Sequence, residues 1–383
     1  MRISIEKPTL QDIDELLKLY FMVYGPNYPI AFGNNAEAAA QAILSDDIQW
    51  LIARDKVRGL IVGSMVYEID YLNRLGKALA LVVHPDYRKA GIASRLASWG
   101  DKLIGPKGPL NSVYTTTRTQ SIGPQVIFLR EGYLPLGIFP NAHKIKRHET
   151  TTLFAKFKEG VLERRAATEK IPSRLVPLYQ VVKQKYPALE IPPSATLSER
   201  LIKKHSPWDA SFEAILAPSY VLRRFRAQVK EPSAIFYPFH IPNLILAETT
   251  GKVEIFAYFN AQDGYCTLIS SNQPMFALHE SFPALLECMR DLGISYVEVL
   301  IPAHRFESLE VLLRAQFLPS ALYPAMREEN GLAYDYVIMT RTMEPLDFRG
   351  MQVEHAFKPY VDQYVALWKQ MHLDALEVFD DYK

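Results

Sequence analysis

The residues with the clearest chemical potential lie between Val83 and Leu96. They read His84-Pro85-Asp86-Tyr87-Arg88-Lys89-Ala90-Gly91-Ile92-Ala93-Ser94-Arg95, entered from the apolar run Leu79-Ala80-Leu81-Val82-Val83. Ile92, Leu96, Trp99 and Leu103 then follow at the spacing of one helix face. A strand therefore feeds a tight loop that opens a helix. The first turn of a helix leaves backbone N–H groups without intrahelical partners and presents the positive end of the helix dipole, so this junction suits an anion, above all a phosphate. Gly91 and Ala93 leave room for close backbone approach, while Arg88 and Lys89 add charge at the mouth. The spacing is neither GxxxxGK[ST] nor GxGxxG, which removes the main support for kinase and dehydrogenase readings.

The elements that must position this loop are also legible. Arg2 to Lys7 alternates as a strand does, and Thr9 stands three residues before Asp12 as in a capping box. An apolar face of Ile13, Leu16, Leu17 and Tyr20 follows at helical spacing. Gly25, Pro26, Pro29 and Gly33 break that helix into an aromatic loop, and Ala36 to Leu44 reads as a second, short helix. Gln49 to Arg54 and Gly59 to Asp70, joined by the polar turn Asp55-Lys56-Val57-Arg58, read as an antiparallel hairpin that Ala78 to Val83 extends into a meander. Beyond the loop, Ile92 to Ile104 is expected as one helix and Ser112 to Arg118 as a strand. Gly123 to Arg130 reads as a helix closed by Gly132, with Tyr133 to Phe139 and Thr150 to Phe157 as a closing strand pair.

The chain of 383 residues is long for one core, so two domains are expected. Lys and Arg total 43 against 42 for Asp and Glu, which gives no whole-chain electrostatic argument for a nucleic-acid or membrane partner. The content, 49% hydrophobic and 22% charged, is that of a soluble globular protein, with no apolar run of the roughly 18 residues a membrane span needs. The opening Met1-Arg2-Ile3-Ser4-Ile5-Glu6 does not read as a signal peptide, and a cytoplasmic location is the default. Cys266 and Cys288 have no CxxC spacing or nearby His pair and read as small hydrophobes; no metal site is expected. The run His143-Lys144-Ile145-Lys146-Arg147-His148 reads as a solvated basic loop, with docking of an acidic ligand as the alternative.

The stretch Arg88-Lys89-Ala90-Gly91-Ile92-Ala93, after Val83-His84-Pro85, resembles the acyl-CoA-binding motif [RQ]xxGx[GA] of the GNAT superfamily of N-acetyltransferases. It stands after the family's element order of strand, two helices and three-strand meander. The family's second marker, a helix ending in [KE]xGF, is matched by Arg130-Glu131-Gly132-Tyr133. The resemblance covers residues 1 to about 158 and implies an α+β fold, a mixed, mostly antiparallel sheet flanked by helices. It further implies acetyl-CoA or another acyl-CoA as co-substrate, lying where two parallel strands splay, at the ends of Ala78 to Val83 and Ser112 to Arg118. Backbone groups of Val82 and Val83 would hold the pantetheine arm. Amides of Lys89, Ala90, Gly91, Ile92, Ala93 and Ser94, with Arg88, would hold the pyrophosphate. The implied reaction is direct attack on the thioester by an amine of a small molecule or a protein.

The sequence also departs from the pattern. Phe128 stands four residues before Gly132 where the family often has a Tyr acid, and Ser121 replaces the Asn that commonly starts that helix. No carboxylate lies between Ala78 and Val83, so the base candidates are Glu68 and Asp70, at the end of the preceding strand, and His143, in the loop between the last strands. His84 reads as structural, and Tyr67, Tyr71 and Phe139 as core or as lining of an acceptor pocket. Two alternatives stand beside N-acyl transfer: a CoA-binding sensor or scaffold without turnover, and a longer-chain acyltransferase using the aromatic loop Tyr20 to Phe32.

The expected organisation is a catalytic domain over 1–158, a helical connector over 159–207, a degenerate GNAT-like domain over 208–345 and a helical tail over 346–383. In the second domain Gln316-Phe317 follows a helix where the family has Gly-Phe, and the segment from Leu268 to Glu280 carries no [RQ]xxGx[GA], so no CoA is expected there. Such a tandem arrangement is compatible with a monomer or a homodimer.

Overall fold

The computed structural model describes residues 2–26, 28–144, 147–197, 211–228 and 237–373. Its contacts divide the chain into two compact units. The first comprises Met1–Thr117, Gly123–Leu134 and Phe154–Glu163; the second comprises Arg118–Ile122, Pro135–Leu153 and Arg164–Lys383.

In the first unit β1 (Ile3–Glu6) leads into α1 (Ile13–Tyr24) and α2 (Ala36–Leu44), then into the meander β2 (Ile48–Asp55), β3 (Leu60–Asp70) and β4 (Leu75–Val83). The short helices α3 (Ile92–Ala97) and α4 (Gly100–Ile104), the strand β5 (Ser112–Arg118) and α5 (Gly123–Arg130) follow. The strands β6 (Leu134–Lys144) and β7 (His148–Phe157) are shared between the two units, with Leu134 and Phe154–Phe157 belonging to the first. β1 to β4 pair antiparallel in sequence order, and β4 pairs with β5 in parallel.

The pattern of the sequence explains the two faces of this sheet. On one, Leu16, Leu19 and Tyr20 of α1, on one helical face, are buried with Trp50, Ile52, Val66 and Val82. On the other, Gly63 of β3 admits α3: a Cβ there would come within 2.8 Å of Ile92. Asp12 accepts from the Thr9 amide at 2.7 Å and closes the capping box.

One expectation fails here. The helix read as continuous from Ile92 to Ile104 is broken between Ala97 and Gly100. Tyr67, fully buried, donates its hydroxyl to the carbonyls of Leu96 and Ala97 at 3.0 and 2.9 Å, which draws the last carbonyls of α3 away from the helical ladder.

In the second unit β8 (Ile171–Pro172) and β9 (Ser194–Ala195) pair in parallel around α6 (Val176–Lys185). Then come β10 (Phe212–Ile215), α7 (Pro218–Gln228), β11 (Leu244–Glu248), β12 (Glu254–Asn260), β13 (Tyr265–Ser271) and α8 (Phe282–Asp291). β14 (Tyr296–Pro302), α9 (Phe306–Arg314), β15 (Leu318–Glu329), β16 (Leu332–Thr342) and α10 (Lys358–His372) complete it. The sheet order is β6-β15-β16-β14-β13-β12-β11-β10, with β13 and β14 the parallel pair. The meander and the parallel step thus recur in the order seen in the first unit, and β15 and β16 follow as an antiparallel hairpin. β6 meets β15 at Gly137, where a Cβ would lie 2.3 Å from Ala321. Among its described residues the connector read as helical and proline-cut contains the α-helix α6 between its two short strands; residues 198–207 lie outside the described residues, as do 374–383 of the tail.

The same cap closes α5 and α9. Gly132 has φ 80° and donates to Leu129 O while Tyr133 donates to Phe128 O; Gln316 has φ 60° and donates to Leu313 O while Phe317 donates to Leu312 O. Both are Schellman motifs, and only the second places a side chain in the left-handed region.

Candidate functional site

The parallel pairing of β4 and β5 runs from Leu75 opposite Ser112 to Ala78 opposite Thr115 and stops there. Thr115 Oγ1 closes the last rung by donating to Ala78 O at 2.7 Å. β4 continues to Val83 with β3 as its partner on one edge only, so the other edge from Leu79 onward is left without a strand partner. Within that stretch Ser64 pairs with Val82 and Val66 with Leu79, which sets Ala80 and Leu81 against Met65 alone. This is a β-bulge, and Ala80 takes φ 55° in it. The bulge is held from α1: Tyr20 Oη donates to Ala80 O at 3.0 Å and Tyr24 Oη to Leu81 O at 2.8 Å. Tyr20 also shares a hydrogen bond of 3.1 Å with Ser64, which accepts from Trp50 Nε1 at 2.7 Å.

β4 leads directly into the loop. His84 Nδ1 accepts from the Asp86 amide at 3.2 Å, and Tyr87 Oη donates to Asp55 at 3.0 Å, which pins the entry. The Arg88 amide still bonds back to Pro85 O, and the first bond of α3 is donated by Arg95 to Gly91 O. The amides of Lys89 to Ser94 lie between those two bonds and precede the helical ladder. Lys89 and Gly91 have φ 67° and 72°, and a Cβ on Gly91 would meet nothing within 4 Å, so the loop is open on that side. Ile92 is buried and anchors α3, Ala93 and Ser94 are half-buried, and Arg88, Lys89, Ala90 and Gly91 are exposed. Consecutive open amides with two cations beside them fit a phosphate or diphosphate.

The three base candidates fall in different settings. Glu68 faces Lys77 across the β3–β4 pair, Oε2 to Nζ 3.9 Å; burial raises its carboxyl above the usual value and Lys77 opposes that. Asp70 lies two residues on along the same strand, and its carboxylate accepts from the Asn73 amide and side chain at 2.9 and 2.6 Å, holding the turn. His143 belongs to the second unit, where Nδ1 lies 3.2 Å from Asp263 Oδ2. Burial works to raise the Asp263 carboxyl, but the His143 contact and the Lys144 amide outweigh it and hold it below the usual range.

Phe128 is in the core, edge-on to Tyr133 at 5.1 Å and 6.0 Å from Phe154. Ser121 lies exposed in the turn before α5. Tyr67 and Phe139 are buried, and Tyr71 donates to Asp46 O. Sequence reasoning overlooked Tyr20 and Tyr24 as polar groups because their helix reads as apolar; the signal is their four-residue spacing, which puts both hydroxyls on one helix face.

Solved structures match the N-terminal part of the chain. The matched structures are GNAT-family acetyltransferases, to which the chain is similar over about two fifths of its length. The acetyltransferase of GNAT family from Streptococcus pneumoniae is 17% identical, with 41% of this chain and 99% of that one covered at a TM-score of 0.36. Spermidine N-acetyltransferase from Vibrio cholerae, in complex with CoA and spermine, is 15% identical over 41% of this chain and 95% of its own, TM-score 0.36. NAA60 of Arabidopsis thaliana, in complex with a bisubstrate analogue, is 18% identical over 42% and 99%, TM-score 0.36. No protein-family model and no curated protein matches the chain. Among the described residues no helix is long and apolar enough to cross a membrane, and no group of three or more His, Cys, Asp or Glu side chains is gathered as metal ligands are.

Proposed function

We propose that residues 1–158 carry out N-acyl transfer, moving the acyl group of an acyl-CoA, acetyl-CoA first among them, to an amine of a small molecule or protein. The observation that carries this reading is the continuity of the unpaired β4 edge, from Leu79 to Val83, with the open amides of Lys89 to Ser94. An edge strand outside any ladder suits an amide-bearing arm such as pantetheine, which would lie along Val82 and Val83, beyond the two carbonyls that Tyr20 and Tyr24 hold. A loop of orphan amides suits the diphosphate at the other end, with Arg88 at its mouth.

The amine nitrogen attacks the thioester carbonyl carbon, the carbon–sulfur bond breaks, and the amine gives up a proton. Glu68 is the group best suited to take that proton, directly or through a water, because burial raises its carboxyl above the ordinary value and so makes it the stronger base. Asp70 serves as the residue that fixes the neighbouring turn. Phe128 has no proton to give, and the thiolate of CoA leaves without help from that position. The second unit is read as a degenerate copy that binds no CoA through its own loop, since Met275–Leu278 is a 3-10 turn entered through Pro274, with no glycine.

A second reading, a CoA-binding sensor without turnover, is favoured by the buried, hydroxyl-free Phe128. Calorimetric titration with acetyl-CoA and CoA, beside the double variant Arg88→Ala, Gly91→Glu, tests the site. Binding lost in the variant supports it, and no binding by folded wild-type protein sinks it. Acyl transfer across a panel of amines and acyl chain lengths then separates enzyme from sensor.

A further inference from the structure

The second unit contains an open cleft of about 240 Å³ that the reaction above does not use. Its polar lining comes from five places in the sequence: Lys144 at the end of β6, Gln262 in the turn after β12, Arg290 in the last turn of α8, Ser295 before β14 and Glu344 after β16. Among the described residues Lys144, Arg290 and Glu344 take part in no ion pair. Asp263, between two lining residues, is turned onto His143, the Lys144 amide and Asn260.

A third cation, Arg341, feels the charge of the lining residue Arg290. Arg341 lies on β16 opposite Val297, two residues before the lining residue Met343. Its Nη1 donates to Ala315 O, while its buried Nε has no hydrogen-bond partner among the described residues. Burial, and after it the charge of Arg290, lowers the Arg341 pKa, so the two guanidinium groups feel each other with no carboxylate outweighing them. A half-buried cation beside a like charge is a standing electrostatic cost that a bound anion would relieve.

We propose that this cleft is an oxyanion site, in which Arg290 and Lys144 take a phosphate or carboxylate group, the Gln262 amide adds neutral donors, and Glu344 sets the limit on its affinity. The site stands on residues of the second unit alone and does not rest on the acyltransferase reading. Guanidinium groups suit such ligands because their fixed donors match paired oxygens.

The test is titration of the full chain with inorganic phosphate and, separately, with citrate, by calorimetry at low salt. Both are run in the Arg88→Ala, Gly91→Glu background, so that the N-terminal loop cannot supply the signal. Saturable binding is expected, weakened about fivefold or more by Arg290→Ala and by Lys144→Ala, strengthened by Glu344→Gln, and screened by added sodium chloride. Preference for phosphate over citrate, or the reverse, assigns the ligand class. Absence of saturable binding by the folded protein, or binding indifferent to Arg290→Ala and Lys144→Ala, overturns the proposal.

Discussion

Tyr24 donates its hydroxyl to the carbonyl of Leu81 across 2.8 Å, one residue beyond the carbonyl that Tyr20 holds at 3.0 Å. Two phenols on one turn of α1 thereby fix the orientation of the bulge at which β4 and β5 part. Tyr24 is 43% exposed and Tyr20 is fully buried, so the two should respond differently to loss of the hydroxyl. Tyr24→Phe is expected to leave the unfolding midpoint nearly unchanged and to slow acyl transfer by about fivefold, the worth of roughly 1 kcal/mol for one neutral hydrogen bond. Tyr20→Phe should cost about 1–3 kcal/mol of stability in urea unfolding, because it strips a half-buried carbonyl and disturbs the buried Ser64. Equal effects of the two variants on stability would contradict this division.

Glu68 gives the reaction its expected pH dependence. Burial raises its carboxyl from the ordinary value of 4.5, with Lys77 pulling the other way. Transfer should therefore fail as the pH falls through a value above 4.5, and Lys77→Met should move that limb further up. The stability sign is opposite to that of a salt-bridged acid. A raised folded pKa makes the ionised form a cost above the unfolded value, so Glu68→Gln should be neutral or stabilising at pH 7 while activity drops. Rate against pH and thermal unfolding of the same variants check both halves.

Glu6 works in the other direction. Lys56 first, then Arg54, hold its carboxyl down from 4.5 to about 2. The stability it contributes is complete above about 4.5 and is lost as the pH falls toward about 2. Glu6→Gln should flatten the acid limb of a stability-against-pH curve in that window, and high salt should do the same in part, because the pair with Lys56 is exposed.

Arg165 and Asp335 form a two-point pair at 2.8 and 2.7 Å, with the Asp335 side chain 1% exposed and accepting also from the Ala325 amide. Removing one partner of a buried pair strands the other. Asp335→Asn should cost about 3–5 kcal/mol by chemical denaturation; a loss under 1 kcal/mol would show the pair to be solvated.

Gln316 holds φ 60° where the equivalent cap of α5 uses glycine. Gln316→Gly should stabilise the chain by about 0.5–1 kcal/mol, and Gly132→Gln should destabilise it by about 1–2 kcal/mol, since only a residue without Cβ takes that conformation freely. Paired unfolding curves decide the sign.

What could be read in advance and what could not follows the range of the interactions. The boundaries of α5, at Gly123 and Arg130, and the loop around Gly91 are written locally, in Gly, Pro and helical spacing. The break in α3 was not, because it depends on the hydroxyl of Tyr67, about thirty residues away in sequence. The bulge at Ala80 is equally silent in an apolar run, where one extra residue leaves no mark on the pattern. At the candidate site the anion loop was legible, whereas the roles of Tyr20 and Tyr24 and the engagement of His143 with Asp263 required the folded chain.

The division of β6 and β7 between the two units has a practical corollary for genetics. Residues 135–153 are counted with the second unit although residues of the first precede and follow them. No single stop codon or cleavage point can therefore release either unit by itself, and a gene cut after residue 163 would encode the first unit together with residues 118–122 and 135–153 of the other.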